Sequence, residues 1–166
     1  MIRSEEVSVT VMSLVIRPVK LEDLDIVMEI ERKCFPIAWE YSVFLTICMN
    51  NGRIVSRDMG MILMDVLEKS GEIIGYTVWE TDTQSKRGHI LNLAVIEEER
   101  RKGYAKQLIH HVHENLKTTG FVSCHLEVRE SNVAARKLYE NCGYVLSDRI
   151  IGYYFDEDAI EYSINL

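Results

Sequence analysis

The chain has 166 residues, 47% of them hydrophobic and 27% charged, with a formal net charge of −7. Those values fit one globular domain with a real core, and two prolines and nine glycines argue against a disordered or fibrous chain. The negative balance works against tight nucleic-acid binding, which needs Lys and Arg to displace counterions from phosphates. No apolar run approaches the ~20 residues of a membrane span. The start MIRSEEVSV carries acids where a signal peptide needs an apolar stretch, so a cytoplasmic protein is expected.

Along the chain, Val7, Val9 and Val11 alternate before the apolar phase shifts to Met12, Leu14 and Ile16. Residues 1–11 read either as an early strand with a bulge or as an extension preceding a natural start at Met12. LVIRP reads as a strand closed by Pro18. LEDLDIVMEIERKCF has apolar residues at helical spacing (Leu21, Leu24, Ile26/Val27, Ile30), and Pro36 ends that helix. Tyr41 to Met49 is a second apolar helix, and NNGRIVSRDMG reads as a loop. MILMDVLEKSGEIIGYTVWET gives two strands around the turn EKSG, and HILNLAV gives a fourth strand.

The period then changes. Ala105, Leu108, Ile109, Val112 and Leu116 form a helical stripe ending at Gly120. FVSCHLEVR alternates, with Val122, Cys124, Leu126 and Val128 on one face and His125, Glu127 and Arg129 on the other. SNVAARKLYENCG is a helix capped by Ser131 or Asn132, with Ala135, Leu138, Tyr139 and Cys142 on its apolar side. Two closing strands, near Tyr144–Tyr153 and Ala159–Asn165, flank the acidic turn FDED. The order β-α-α-β-β-β-α-β-α-β-β is that of a mixed α/β domain spanning 1–166.

Cys34, Cys48, Cys124 and Cys142 form no C-x-x-C pair and read as reduced, mostly buried thiols. His110, His111 and His113 lie on one helix without clustered ligands, so they read as a solvated face, and no metal site is expected.

The segment that carries chemistry is HILNLAVIEEERRKGYAKQLI. An apolar strand passes through an acidic loop into Arg100-Arg101-Lys102-Gly103-Tyr104-Ala105 and directly into a helix. A helix N-terminus offers unpaired N–H groups and partial positive charge. Gly103 and Ala105 allow close approach, and three basic side chains add charge, so a pyrophosphate fits there. A solvated basic turn is the competing reading of the hexamer alone. The nucleotide P-loop spacing is absent, and so is the three-glycine dinucleotide fingerprint.

Residues 100–105 match the [Q/R]-x-x-G-x-[G/A] signature of the GNAT acetyltransferases, and LEVRESNVAARKLYENCGY resembles their later strand, loop and helix. The similarity runs from about Leu14 to the C-terminus. RGHILNLAV, the FP-I-A-W segment and the pair Tyr153-Tyr154 bring it nearest to N-terminal protein acetyltransferases of the RimI type and the archaeal and eukaryotic catalytic subunits. The resemblance implies a GNAT fold, with a mostly antiparallel sheet of about seven strands flanked by four helices. It implies acetyl-CoA as co-substrate and protein or peptide N-termini as substrates, with a monomer or weak dimer and neither nucleic acid nor membrane as partner.

It also implies roles. Backbone groups of Leu93, Ala94 and Val95 would hold the pantetheine arm and supply an oxyanion donor. The amides of Arg100, Arg101, Lys102, Gly103, Tyr104 and Ala105, with Lys106 beside them, would hold the pyrophosphate. Asn132 and Tyr139 would meet the CoA arm. Glu127 is implied as the general base, with burial expected to raise its pKa, and His89 as a relay through water. Tyr139 is implied as the acid for the thiolate. Phe35, Pro36, Ile37 and Trp39 would form the wall for the substrate's first residue, and Tyr153 and Tyr154 would bind the peptide backbone. Ile37 departs from relatives that carry a glutamate there, which points to an apolar first residue such as Met or Leu. Acetylation of lysine or small amines, and a non-enzymatic CoA-binding module, are the alternatives.

Overall fold

The structure is a computed structural model and describes residues 13–56 and 59–166. The reading of residues 1–11 lies outside that range. Eight strands form one sheet: β1 (Leu14–Pro18), β2 (Arg53–Val55), β3 (Met61–Lys69), β4 (Glu72–Asp82), β5 (Arg87–Val95), β6 (Ser123–Arg129), β7 (Val145–Ile150) and β8 (Ala159–Asn165). The spatial order is β1-β3-β4-β5-β6-β8-β7, and the short β2 pairs with the rest of the outer edge of β3. Every pairing is antiparallel except β5 with β6.

Four helices cover the sheet: α1 (Leu24–Cys34), α2 (Tyr41–Met49), α3 (Tyr104–Thr118) and α4 (Val133–Asn141). Val27, Met28 and Ile30 of α1 and Phe44, Ile47 and Cys48 of α2 pack with Met64, Val66, Tyr76 and Val78 on one face. Ile109, Val112 and Leu116 of α3 and Tyr139 of α4 pack with Trp79, Cys124, Leu126 and Val128 on the other. Gly88 permits the close seating of α3, because a Cβ there would fall 2.4 Å from a Leu116 methyl.

The sequence expectations hold for the four helices and seven of the strands. RIV, read as loop, is the eighth strand; its three residues are too few to show alternation. Val122, expected on the buried row, is exposed, because it precedes β6. The histidines of α3 are not one solvated face. His113 is buried against the Tyr144 hydroxyl at 2.8 Å, and His111 lies 3.2 Å from the buried carboxylate of Asp65; only His110 is exposed. All four cysteines are free; Cys48 and Cys124 are buried, and Cys34 and Cys142 are half-buried.

Candidate active site

The register of β5 creates the site. β5 pairs with β6 only from Arg87 to Ile90, opposite Ser123 to Leu126. Beyond that point the strands part, and Asn92 to Val95 keep only their pairing with β4. Val78 and Trp79 of β4 face Asn92 and Ile90, so Leu91 is a bulge residue. The bulge breaks the period of two: Ile90 and Leu93 join the core under α3, while Leu91 and Ala94 join the core under α1 and α2. The result is an opening between β5 and β6 beside Leu93–Val95, where the backbone has no partner on β6.

At the parting of the strands, three half-buried residues, one on β5 and two on β6, share the face of the sheet opposite α3. His89 stands in register with His125, and their rings stack at 4.1 Å with planes 14° apart. Glu127, two residues further along β6, is on the same side. His89 Nε2 lies 2.6 Å from Glu127 Oε2, and His89 Nδ1 lies 3.1 Å from Glu80 Oε1. His125 Nδ1 is held at 2.9 Å by the Gly88 carbonyl. A cleft of about 520 Å³, with Glu80, Asp82, Arg87, His89 and His125 in its walls, opens on this cluster.

The electrostatics follow from the pairing. Burial works to lower the His89 pKa, but its hydrogen bonds and charge contacts with Glu127 and then Glu80 outweigh this, and the imidazole rises above its ordinary value. Burial works to raise Glu127, yet the His89 hydrogen bond outweighs it and the carboxyl falls below the ordinary range. The expectation that burial raises Glu127 is therefore corrected. The sequence placed Glu127 on its face but did not show that an imidazole would sit against it. His125 is lowered, by burial first and then by the nearby His89 and Arg87. The two groups are coupled, so they titrate as a pair rather than singly.

Tyr153 and Tyr154 follow β7, their rings edge to face at 5.1 Å. Tyr153 is exposed at the rim, and its phenol is raised by burial and by the charge and hydrogen bond of Glu127. Tyr154 is covered by the Arg129 guanidinium at 4.3 Å, and burial pushes its phenol up to about 12. Tyr139 is buried against Tyr144 and Tyr162; burial, then the neighbouring Tyr154, holds its phenol far above the ordinary value. It therefore keeps its proton at neutral pH.

On the other side of the opening, α1 presents a fully buried carboxylate, Glu31. It accepts from the Trp39 amide at 2.8 Å, from Asn92 Nδ2 at 3.1 Å and from the Tyr76 hydroxyl. Asn92 Oδ1 in turn accepts from the Leu93 amide at 3.1 Å. The network ties the Phe35–Trp39 segment to the bulge of β5. Phe35 and Trp39 pack on the core, while Pro36 and Ile37 face outward, with Ile37 63% exposed.

At the start of α3, Arg101 and Gly103 take left-handed conformations, φ 63° and 86°. Such residues gather amides into an anion-binding concavity, and the first amides of the helix have no intrahelical partner. No atom lies within 4 Å of a Cβ built on Gly103, so the approach is open. Two of the three basic side chains turn to the protein itself. Arg100 Nε donates to the Val95 carbonyl at 2.9 Å, and Lys102 Nζ bonds the Glu98 carbonyl and Glu99 carboxylate. Lys106 lines a second cleft with Gly103, Gln107 and His110. Asn132 Oδ1 caps α4 by accepting from the Ala135 amide at 3.1 Å, leaving its Nδ2 for other partners.

Glu80, His125 and the Glu31–Tyr76–Asn92 network are the residues that sequence reasoning missed. His125 was visible as the neighbour of Glu127 on one strand face; Glu80 and the network become apparent only through strand pairing.

Residues 24–144 match the acetyltransferase (GNAT) family. An N-acetyltransferase of Methanocaldococcus jannaschii is 33% identical over 151 residues, covering 89% of this chain and 88% of that protein. The N-alpha-acetyltransferase of Saccharolobus solfataricus is 28% identical, covering 87% and 88%. In fold, the ribosomal-protein-S18-alanine N-acetyltransferase of Escherichia coli superposes with a TM-score of 0.77 at 24% identity, covering 92% of this chain and 94% of that one. The chain belongs to the acetyltransferase (GNAT) family and is an acetyl-CoA-dependent acetyltransferase.

Proposed function

We propose that this enzyme acetylates the free α-amine of protein N-termini, with Glu127 and His89 together as the base and Tyr139 as the acid. The observation that carries the reading is the His89–Glu127 pair, 2.6 Å apart, at the point where β5 and β6 separate and beside an open acidic cleft. The relatives named for N-alpha-acetyl transfer support the choice of amine.

Acetyl-CoA supplies an activated thioester. Backbone groups of Leu93, Ala94 and Val95 hold the arm in the opening, and the amides of residues 100–105, with Lys106 alongside and Asn132 and Tyr139 facing from α4, hold its phosphates and flank its length. Glu80, Asp82 and Glu127 draw in a cationic amine. An N-terminus titrates near ~7.7–8.0 against ~10.4 for lysine, so a modest base suffices. The amine in its neutral form attacks the thioester carbonyl, and a backbone N–H of the Leu93–Val95 stretch faces the developing oxyanion. The nitrogen gives its proton to the His89–Glu127 pair, directly or through water. Tyr139 donates its proton to the departing thiolate. Ile37 forms an apolar rim for the first residue with Phe35, Pro36 and Trp39 behind it, and Tyr153 and Tyr154 flank the peptide backbone.

The test is acetyl transfer to peptides that differ at residue one, each paired with a version blocked at its α-amine but carrying a free lysine. Turnover confined to free α-amines is expected, with apolar first residues preferred. Turnover on the blocked peptides makes this a lysine acetyltransferase; turnover only on small amines, or none, overturns the reading.

A further inference from the structure

The His89, His125 and Glu127 cluster has the composition and the support of a transition-metal site. One ligating atom from each of the three residues lies within 4.8 Å of the others. Zinc held by two imidazoles and a carboxylate at ~2.0–2.2 Å places neighbouring ligand atoms about 3.4 Å apart.

The outer partners are already in place. The Gly88 carbonyl and the Glu80 carboxylate accept from the Nδ1 hydrogens of His125 and His89. Each imidazole is thereby left with Nε2 for a further partner, the arrangement that orients metal-bound histidines. His89 Nε2 and Glu127 share a proton at 2.6 Å, and a metal ion substitutes for that proton. The stacked rings fix His125 beside them in register. Imidazole ligands select zinc and its neighbours over magnesium and calcium, which take oxygen alone. The cleft leaves a fourth position open to water.

We propose that His89, His125 and Glu127 bind a zinc ion at the mouth of the acceptor cleft, as an inhibitory site distinct in purpose from acetyl transfer. The inhibition rests on the base reading given above, because zinc occupies the lone pairs that would accept the amine proton. The binding does not rest on it.

The experiment is calorimetric titration of the metal-free full chain with zinc, alongside the cobalt absorption spectrum and the acetyl-transfer rate. Binding of one zinc per chain is expected, with loss of turnover in step with occupancy. His125→Phe keeps a stacking ring and removes a ligand nitrogen. It should weaken zinc binding by more than about a hundredfold and relieve inhibition, read for each protein as the ratio of turnover with zinc to turnover without it. The cobalt spectrum of the parent needs no variant: intense four-coordinate bands support the site, and the weak bands of an octahedral aqua ion overturn it. No binding, or binding unaltered by His125→Phe, also overturns it. Zinc bound through His125 without inhibition overturns the inhibitory role and removes His89–Glu127 as the base, whereas absence of binding leaves the base reading untouched.

Discussion

The short contact between His89 and Glu127 determines how the site responds to pH. His89 is raised by its hydrogen bonds to Glu127 and Glu80 against the opposing pull of burial. As pH climbs through that raised value the pair loses its proton and becomes a base, so kcat/KM should rise along an acid limb. Glu127→Gln removes the stronger of the two supports, so the limb should move to lower pH while turnover falls by about 10²–10⁴, with acetyl-CoA binding retained. A pH–rate profile checks both. A limb that stays in place belongs to the substrate amine rather than to His89. Tyr139→Phe should reduce kcat more than peptide KM, since its phenol is proposed to act only as the thiolate leaves. Glu127, His89 and Tyr139 were singled out by the resemblance to GNAT acetyltransferases; alternation alone put only Glu127 on its strand face and Tyr139 on its helix side. Their electrostatics were not legible, because Glu80 and His89 are brought together by the pairing of β4 with β5, and a single strand's pattern does not specify a neighbour.

Among the elements, β5 was read correctly in extent and incompletely in shape. HILNLAV supplies a continuous apolar run, but only the pairing shows that Leu91 bulges and that the core-facing side switches at that point. Glu31 illustrates the same limit: on α1 it is one polar residue of a helix, and only the fold buries it between Trp39, Tyr76 and Asn92. An amide in place of that carboxylate turns one of its two acceptor oxygens into a donor, set against either the Trp39 amide or the pair Tyr76 and Asn92. Glu31→Gln should cost about 2–4 kcal/mol and raise KM for peptide more than for acetyl-CoA, as the loop it anchors loosens. Denaturant midpoints and separate KM measurements check this; an unchanged midpoint means the network does not hold the loop. The start of α3 allows a cleaner separation of stability from binding. Gly103→Ala meets no atom within 4 Å, so its structural cost is confined to the left-handed backbone, about 1–2 kcal/mol. A loss of acetyl-CoA affinity well beyond the loss of stability is expected, and unaltered affinity removes the phosphate-loop role.

Across the whole molecule, His89 bends the stability–pH curve one way, and His113 and His125 bend it the other. His89 has a raised folded value, so its contribution is fully present below the unfolded value near 6.5 and fades as pH rises through the folded one. His113 is the reverse case. Burial, then the nearby charge of Lys117, lowers it to about 4, and it sits neutral against Tyr144 between α3 and the strands. Its contribution is present above the unfolded value near 6.5 and is lost as pH falls towards about 4, because the unfolded chain takes a proton that the folded chain refuses. After allowance for solvent screening, that loss is about 2 kcal/mol across the window. Glu127, depressed by His89, adds its own loss only below the ordinary carboxylate range. Acid sensitivity between pH 6.5 and about 4 should therefore come from His113, with the lowered His125 acting in the same direction. His113→Phe gives up the bond to Tyr144 and lowers stability at every pH, but its curve across that window should be flatter than the parent's. Urea unfolding at intervals through the window measures the slope. A variant curve parallel to the parent's would mean that His113 is free to take its proton in the folded state, and that the junction of α3 with Tyr144 opens to water more readily than its burial implies.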